Sequence, residues 1–155
     1  MKTLKFCIVA LPTAVADAAR DSMAQGQSDH ALVAADSSSG YSCRHCLRFA
    51  QAGEHMILFP YAPLALGRPY SESGPIYVHA EKCERYTATS EFPAALRKSR
   101  VMRAYDSQEN MVDAEVVNGN EPEAIIDALF RNPKVAFLQA RSVSHGCFTM
   151  RIERA

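Results

Sequence analysis

Cys43 and Cys46 stand three residues apart in the stretch GYSCRHCLRF, with Arg44 and His45 between them. Two thiolates at this spacing can hold half of a tetrahedral zinc ion, the other half coming from a second short pair. His79 with Cys83, or His145 with Cys147, could supply it. The competing chemistry is redox, because a Cys-x-x-Cys pair at a helix N-terminus has a lowered thiol pKa. The flanking residues argue against both. Leu47-Arg48-Phe49 runs on as a strand pattern, and neither Gly nor Pro marks a tight turn between the thiols. On an extended strand, residues three apart point to opposite faces. The pattern predicts two thiols with separate fates, one buried as a small apolar group and one beside a loop. It predicts no metal and no cofactor, with Cys43, Cys46, His79 and Cys83 as the alternative metal set.

A second thiol has a sharper setting. Ser144-His145-Gly146-Cys147-Phe148 resembles the nucleophile segment of the L,D-transpeptidases, cysteine acyl transferases acting on peptidoglycan. A loop glycine would expose the thiol, and nearby backbone N–H groups could receive an oxyanion. That resemblance implies Cys147 as nucleophile; an enzyme built on it would use His145 or His79 as base. Thr149 stands where the motif carries Arg, and no histidine lies between His79 and His145. Read from the residues alone, Gly146 ends a hairpin loop and Cys147 starts a buried strand.

Charged residues form a third set. Arg44, Arg103, Asp106 and Arg141, with His79 and His145, fall at strand ends or beside turns. An arginine pair at such a place suits a carboxylate or phosphate, since guanidinium forks bind planar anions bidentately. Arg44, His79, Arg103 and Asp106 are the expected binding residues for a small anion. Arg103 and Asp106, on one strand and its turn, can instead brace each other.

The elements that must position these residues follow from composition and patterning. Seventeen basic residues against seventeen acidic ones leave no net charge. That argues against a nucleic-acid binder, which needs a basic face, and against electrostatic docking on membranes. No stretch approaches the ~20 apolar residues of a membrane span. Five cysteines in 155 residues are odd in number and sparse, which points to reduced thiols in a cytoplasmic protein. The N-terminal outline of lysines, apolar run and small residues mimics a secretory signal. Leu4, Phe6 and Ile8 alternate as in a buried strand, however, and Pro12 interrupts the run. Thr13 can then cap a helix whose face carries Val15, Ala18, Ala19 and Met23.

Further strands are expected at 31–35, 46–50, 55–61, 76–79, 101–105, 111–117, 135–140 and 147–153. The turn 51–54 should join 46–50 to 55–61 as a hairpin. Helices are expected at 93–99 and 121–131. Asn118-Gly119 reads as a turn, Asn120 as the cap of the second helix, and Glu123 as its capping-box partner. The sum is an α+β single domain over residues 1–155, a mostly antiparallel sheet with about three helices.

Several segments also fall in a familiar order. Gly40-Tyr41-Ser42-Cys43-Arg44 precedes Gly53-Glu54, then Pro69-Tyr70 and Ser73-Gly74-Pro75-Ile76-Tyr77-Val78-His79. Arg103-Ala104-Tyr105-Asp106 follows, then Gly146-Cys147-Phe148 and Arg154. This order resembles the uncharacterised bacterial family catalogued as domain of unknown function 1203, over nearly the whole chain. Ser42 stands where that family suggests Pro. The resemblance implies a compact single domain, supports strand plus helix at the N-terminus, and implies no established activity. The function expected on this reading is a small-molecule (anion) binding or accessory protein. The alternatives are a Cys147 enzyme and a structural zinc-binding domain.

Overall fold

The computed structural model describes residues 5–118 and 121–155. In chain order the elements are β1 Phe6–Val9, α1 Thr13–Ala24, β2 Ala31–Ala34, β3 His55–Tyr61, β4 Gly74–His79, a 3-10 turn Ala94–Leu96, β5 Arg100–Tyr105, β6 Met111–Val117, α2 Pro122–Phe130, β7 Phe137–Ser142 and β8 Phe148–Arg154. The fold is α+β and every strand pair is antiparallel. The third expected helix is a single 3-10 turn, so two α-helices are formed among the described residues. No helix among them is long and apolar enough to cross a membrane. Contacts divide the chain into two compact units, each built from separate stretches.

The first unit takes the chain up to Val9, Ala62–Glu72 and Ala88–Ala155. Its sheet has the order β1-β8-β7-β5-β6. Alternation in β1 buries Phe6 and Ile8 and leaves Cys7 and Val9 half-buried, as expected of a strand with one covered face. The expected Leu4 position lies outside the described residues. Ile8 pairs with Ile152, Ile152 with Leu138, and Leu138 with Ala104. This row crosses four strands and is almost wholly buried. Helix α2 adds the buried Ile126, Leu129 and Phe130; Ile125, the fourth residue of the stripe expected from its 3.6-residue period, is half-buried. Glu123 pairs with Arg97, whose Nη1 lies 3.1 Å from Oε2; its expected capping box with Asn120 lies outside the described residues. The Gly119 turn and the Asn120 cap lie outside the described residues.

The second unit comprises Ala10–Tyr61 and Ser73–Thr87. Its sheet has the order β2-β3-β4. Residues 46–50 form no strand and make no hairpin with β3; the partner of β3 is β2. The reason is local. The Gly53 N–H bonds the Ala35 carbonyl and the Ala35 N–H bonds that of Glu54, both at 2.8 Å, so the turn at 51–54 extends the β2–β3 ladder. Helix α1 follows Pro12, and no side chain caps it. Ala16 and Ala19 are its buried residues. Val15 and Met23 are half-buried and Ala18 is exposed, one step off the expected face.

Candidate metal centre

The centre begins at a turn. Cys43 forms an isolated parallel bridge with Tyr77 of β4, and the Arg44 N–H donates to the Tyr77 carbonyl at 3.0 Å. The chain then reverses. The Leu47 N–H bonds the Cys43 carbonyl, and the Cys43 N–H bonds that of Arg48, both at 2.9 Å. Leu47 takes φ 57°, a left-handed conformation. Such a residue costs of order 1–3 kcal/mol and persists only where its surroundings over-determine it. Burial of the Leu47 side chain supplies that. The expectation of opposite-facing thiols is overturned: the segment is not extended, and both cysteines are buried on the inside of one turn.

The other two residues come from β4 and the chain beyond it. His79 ends β4. Cys83 lies in a segment tied down by the Tyr86 N–H on the His45 carbonyl at 2.9 Å and by Arg85 Nη2 on the Ala10 carbonyl at 2.6 Å. One ligand atom from each of Cys43, Cys46, His79 and Cys83 lies within 4.8 Å of all the others. Cys43 Sγ and Cys83 Sγ are 3.8 Å apart, and Cys46 Sγ is 3.5 Å from His79 Nδ1. A zinc tetrahedron with bonds of about 2.3 Å to sulfur and 2.0 Å to nitrogen has S···S edges of about 3.8 Å and S···N edges of about 3.5 Å. A disulfide would instead place its sulfurs at about 2.05 Å, and all five cysteines are free thiols.

A second layer of polar groups surrounds the sulfurs. His79 Nε2 lies 3.1 Å from Glu54 Oε2. The same carboxylate oxygen accepts the Gln51 N–H at 2.9 Å, which leads the causes that hold Glu54 below the usual carboxylate range. The His79 backbone N–H points at Cys43 Sγ at 3.4 Å. His45 is almost fully buried; its Nδ1 is 3.1 Å from Cys83 Sγ and its Nε2 is 2.8 Å from Thr13 Oγ1. With the Thr13 hydroxyl donating to Nε2, Nδ1 carries the proton that faces the sulfur. Burial, then the Arg20 charge, lowers the His45 pKa, which keeps that tautomer neutral. Arg20 Nη2 also reaches Cys83 Sγ at 3.7 Å, and Arg20 is held by Asp17 and the carbonyls of His79 and Glu81. Interaction with Cys46 raises the Arg48 pKa.

These contacts shift the protons of the cluster, Cys46 being lowered as well. Hydrogen bonds from Cys46 and then Cys83 push the Cys43 thiol far down. Hydrogen bonding to Cys43 and then Cys46 pushes Cys83 up. His79 is raised to about 10 by its hydrogen bonds to Cys43 and then Cys46. The ionised form of Cys43 and the charged form of the His79 ring are thus both favoured, and they compensate each other in a desolvated place.

The other expected site residues are distributed as follows. Arg44 and His79 belong to the second unit, and Arg103, Asp106, Arg141, His145 and Cys147 to the first. Arg44 is buried beside the turn, with Nη1 on the Ser42 carbonyl and hydroxyl at 2.6 and 2.7 Å. Arg103 and Asp106 do not brace each other. Arg103 Nη1 meets Glu72 at 3.0 Å, and Asp106 folds back onto the N–H groups of Gln108 and Asn110, both at 2.9 Å. Cys147 is half-buried, with its sulfur 3.9 Å from the His145 carbonyl. The His145 ring bonds the Ser144 hydroxyl at 3.0 Å, and the Cys147 N–H is taken by Ser142 Oγ at 3.1 Å.

Glu54, Thr13, Arg20 and Arg48 carried no recognisable signal, because each reaches the sulfurs through tertiary contact. His45 carried one, lying between the two cysteines of the motif.

The profile of a family described as Protein of unknown function (DUF1203) matches residues 40–154. The match includes all four residues of the cluster. β1, α1 and β2 precede it, so the likeness expected from the first strand is matched from residue 40 onward. No curated protein and no solved structure matches the chain.

Proposed function

The chain belongs to the DUF1203 family, and we propose that it is a zinc-stabilised domain in which Cys43, Cys46, His79 and Cys83 hold one structural Zn(II). The observation that carries this reading is the pair of ligand separations, 3.8 Å for Cys43–Cys83 and 3.5 Å for Cys46–His79, which equal the edges of a zinc tetrahedron. Three soft thiolates and one imidazole favour zinc over hard cations such as calcium or magnesium.

Four protein ligands close the coordination shell, which is the mark of structural rather than catalytic zinc. Glu54 supports the reading from outside that shell, because ligating histidines usually give their second nitrogen to a carboxylate. Three thiolates on a divalent ion leave one excess negative charge. Arg20, Arg48 and the His45 N–H stand where they offset it. The ion would join residues 43 and 83 across forty positions of chain, so its binding energy would be folding energy. Reduced thiols of this kind fit a cytoplasmic protein, which completes the proposal. Enzymatic use of Cys147 has less support, since the rings and amides nearest to it are engaged within their own loop.

The test is elemental analysis of protein purified without added metal. About one zinc per chain is expected, and cobalt substitution should give the visible absorption of a tetrahedral thiolate site. Less than about half an equivalent of any transition metal, before and after incubation with zinc, would sink the proposal.

A further inference from the structure

A different set of charges occupies the five-stranded sheet. Arg103 pairs with Gln139 and Val101 with Arg141 across β5 and β7, which places Arg103, Gln139 and Arg141 on one face. Arg141 is 4% exposed and Gln139 1%. A guanidinium taken that far out of water costs several kcal/mol unless it is paired and hydrogen-bonded. Gln139 Oε1 accepts Arg141 Nε at 3.3 Å and Nη2 at 2.9 Å. Arg141 Nη1 donates to the Gly146 carbonyl at 3.0 Å and also to Glu72 Oε1.

That oxygen is shared. Arg103 Nη1 donates to the same Glu72 Oε1 at 3.0 Å. Two guanidiniums thus meet one carboxylate oxygen, and the group keeps one unit of excess positive charge. Burial and then the neighbouring Arg103 lower the Arg141 pKa, in keeping with that excess. Among the described residues, Arg103 Nε and Nη2 donate to nothing and Glu72 Oε2 accepts nothing. The Glu72 side chain is 45% exposed and ends the stretch Ala62–Glu72. It is therefore a surface carboxylate laid on a buried cation by one of its two oxygens.

We propose that the Arg103–Arg141 pair is a binding site for the carboxylate of a small organic acid, and that Glu72 holds the place until the ligand arrives. A free carboxylate satisfies guanidinium forks with both oxygens, and can take the open Arg103 donors that Glu72 leaves unused. Glu72 moves outward to water when displaced. None of the residues used belongs to the metal centre, so the two proposals stand or fall separately. Internal competition lowers the apparent affinity in proportion to the fraction of time the place is free.

The experiment is calorimetric titration of the full chain with succinate, at ionic strength held constant with sodium chloride. Glu72→Gln should bind succinate at least about ten-fold more tightly than wild type, because the competing charge is gone. Adding Arg103→Ala, a change at the more exposed of the two arginines, should abolish that binding. In wild type, the Arg103 Nε–Hε NMR signal should shift saturably with succinate and not with chloride; this readout serves if the Glu72 variant fails to fold. Equal affinity in wild type and Glu72→Gln, binding that survives Arg103→Ala, or an Arg103 signal that does not move would each overturn the proposal.

Discussion

His79 faces Glu54 with one ring nitrogen and the thiols with the other: Nε2 is 3.1 Å from Glu54 Oε2, and Nδ1 is 3.5 Å from Cys46 Sγ. The carboxylate fixes both the rotation of the ring and the nitrogen that is free to ligate. Glu54 is half-exposed, so it can be altered with little penalty to packing. Glu54→Gln should weaken zinc by about 10–100-fold while leaving the far-UV spectrum unchanged. Competition against a chromophoric chelator measures this. An affinity within a factor of two of wild type would mean that Glu54 does not orient the ligand.

The five cysteines should divide into two classes. Cys43→Ser should abolish stoichiometric zinc and lower the thermal midpoint, because a half-made site no longer adds its binding energy to folding. Cys147→Ser and Cys7→Ser should keep one zinc per chain, since neither sulfur is in the cluster. Metal analysis of the three variants side by side checks this. Zinc retained by Cys43→Ser, or lost from Cys147→Ser, would contradict the assignment.

Zinc binding should be coupled to proton release. Thiol and imidazole ligands must lose their protons to bind. In the metal-free chain, His79 is raised to about 10 and Cys83 is pushed up by Cys43 and Cys46, so both are protonated at neutral pH. Loading should release protons, those of His79 and Cys83 among them, and the apparent affinity should rise with pH between roughly 6 and 8. Calorimetry in buffers of differing ionisation enthalpy counts these protons. A pH-independent affinity would refute the thiol and imidazole ligands.

Asp106 gives a stability prediction that does not involve the proposed metal ligands. Hydrogen bonds from the Asn110 N–H, and more weakly from that of Gln108, lower its pKa below the ordinary 3.8. A carboxyl whose folded value is depressed stabilises the fold above its unfolded value and loses that stabilisation as pH falls through the folded one. Asp106→Ala should therefore lower the urea midpoint at pH 7. The difference from wild type should shrink as pH falls below about 4. A difference that is constant from pH 7 to pH 3 would show that the charge of Asp106 is irrelevant to the turn.

Legibility differed by residue. Ile125 to Phe130 announced a helix by their period, and the β5–β6 hairpin followed from two alternating runs around Asp106 and Asn110. Residues 46–50 misled because their types suit a strand, whereas Leu47 adopts the left-handed angle that normally signals glycine. The 93–99 helix shrank to Ala94–Leu96, a span too short for propensity to resolve.

The sequence alone carried what local rules govern: α+β class, the positions of most strands, both α-helices, and which residue types could ligate or bind anions. Tertiary structure decided which of them meet. Cys43 and Cys46 reach His79 and Cys83 only because a buried leucine reverses the chain beside β4. Arg103 and Arg141 share Glu72 only because β5 and β7 are neighbours in register. A turn held by burial, and a strand order set by pairing across the sheet, depend on contacts between residues far apart in the chain, and no short window of residues contains them.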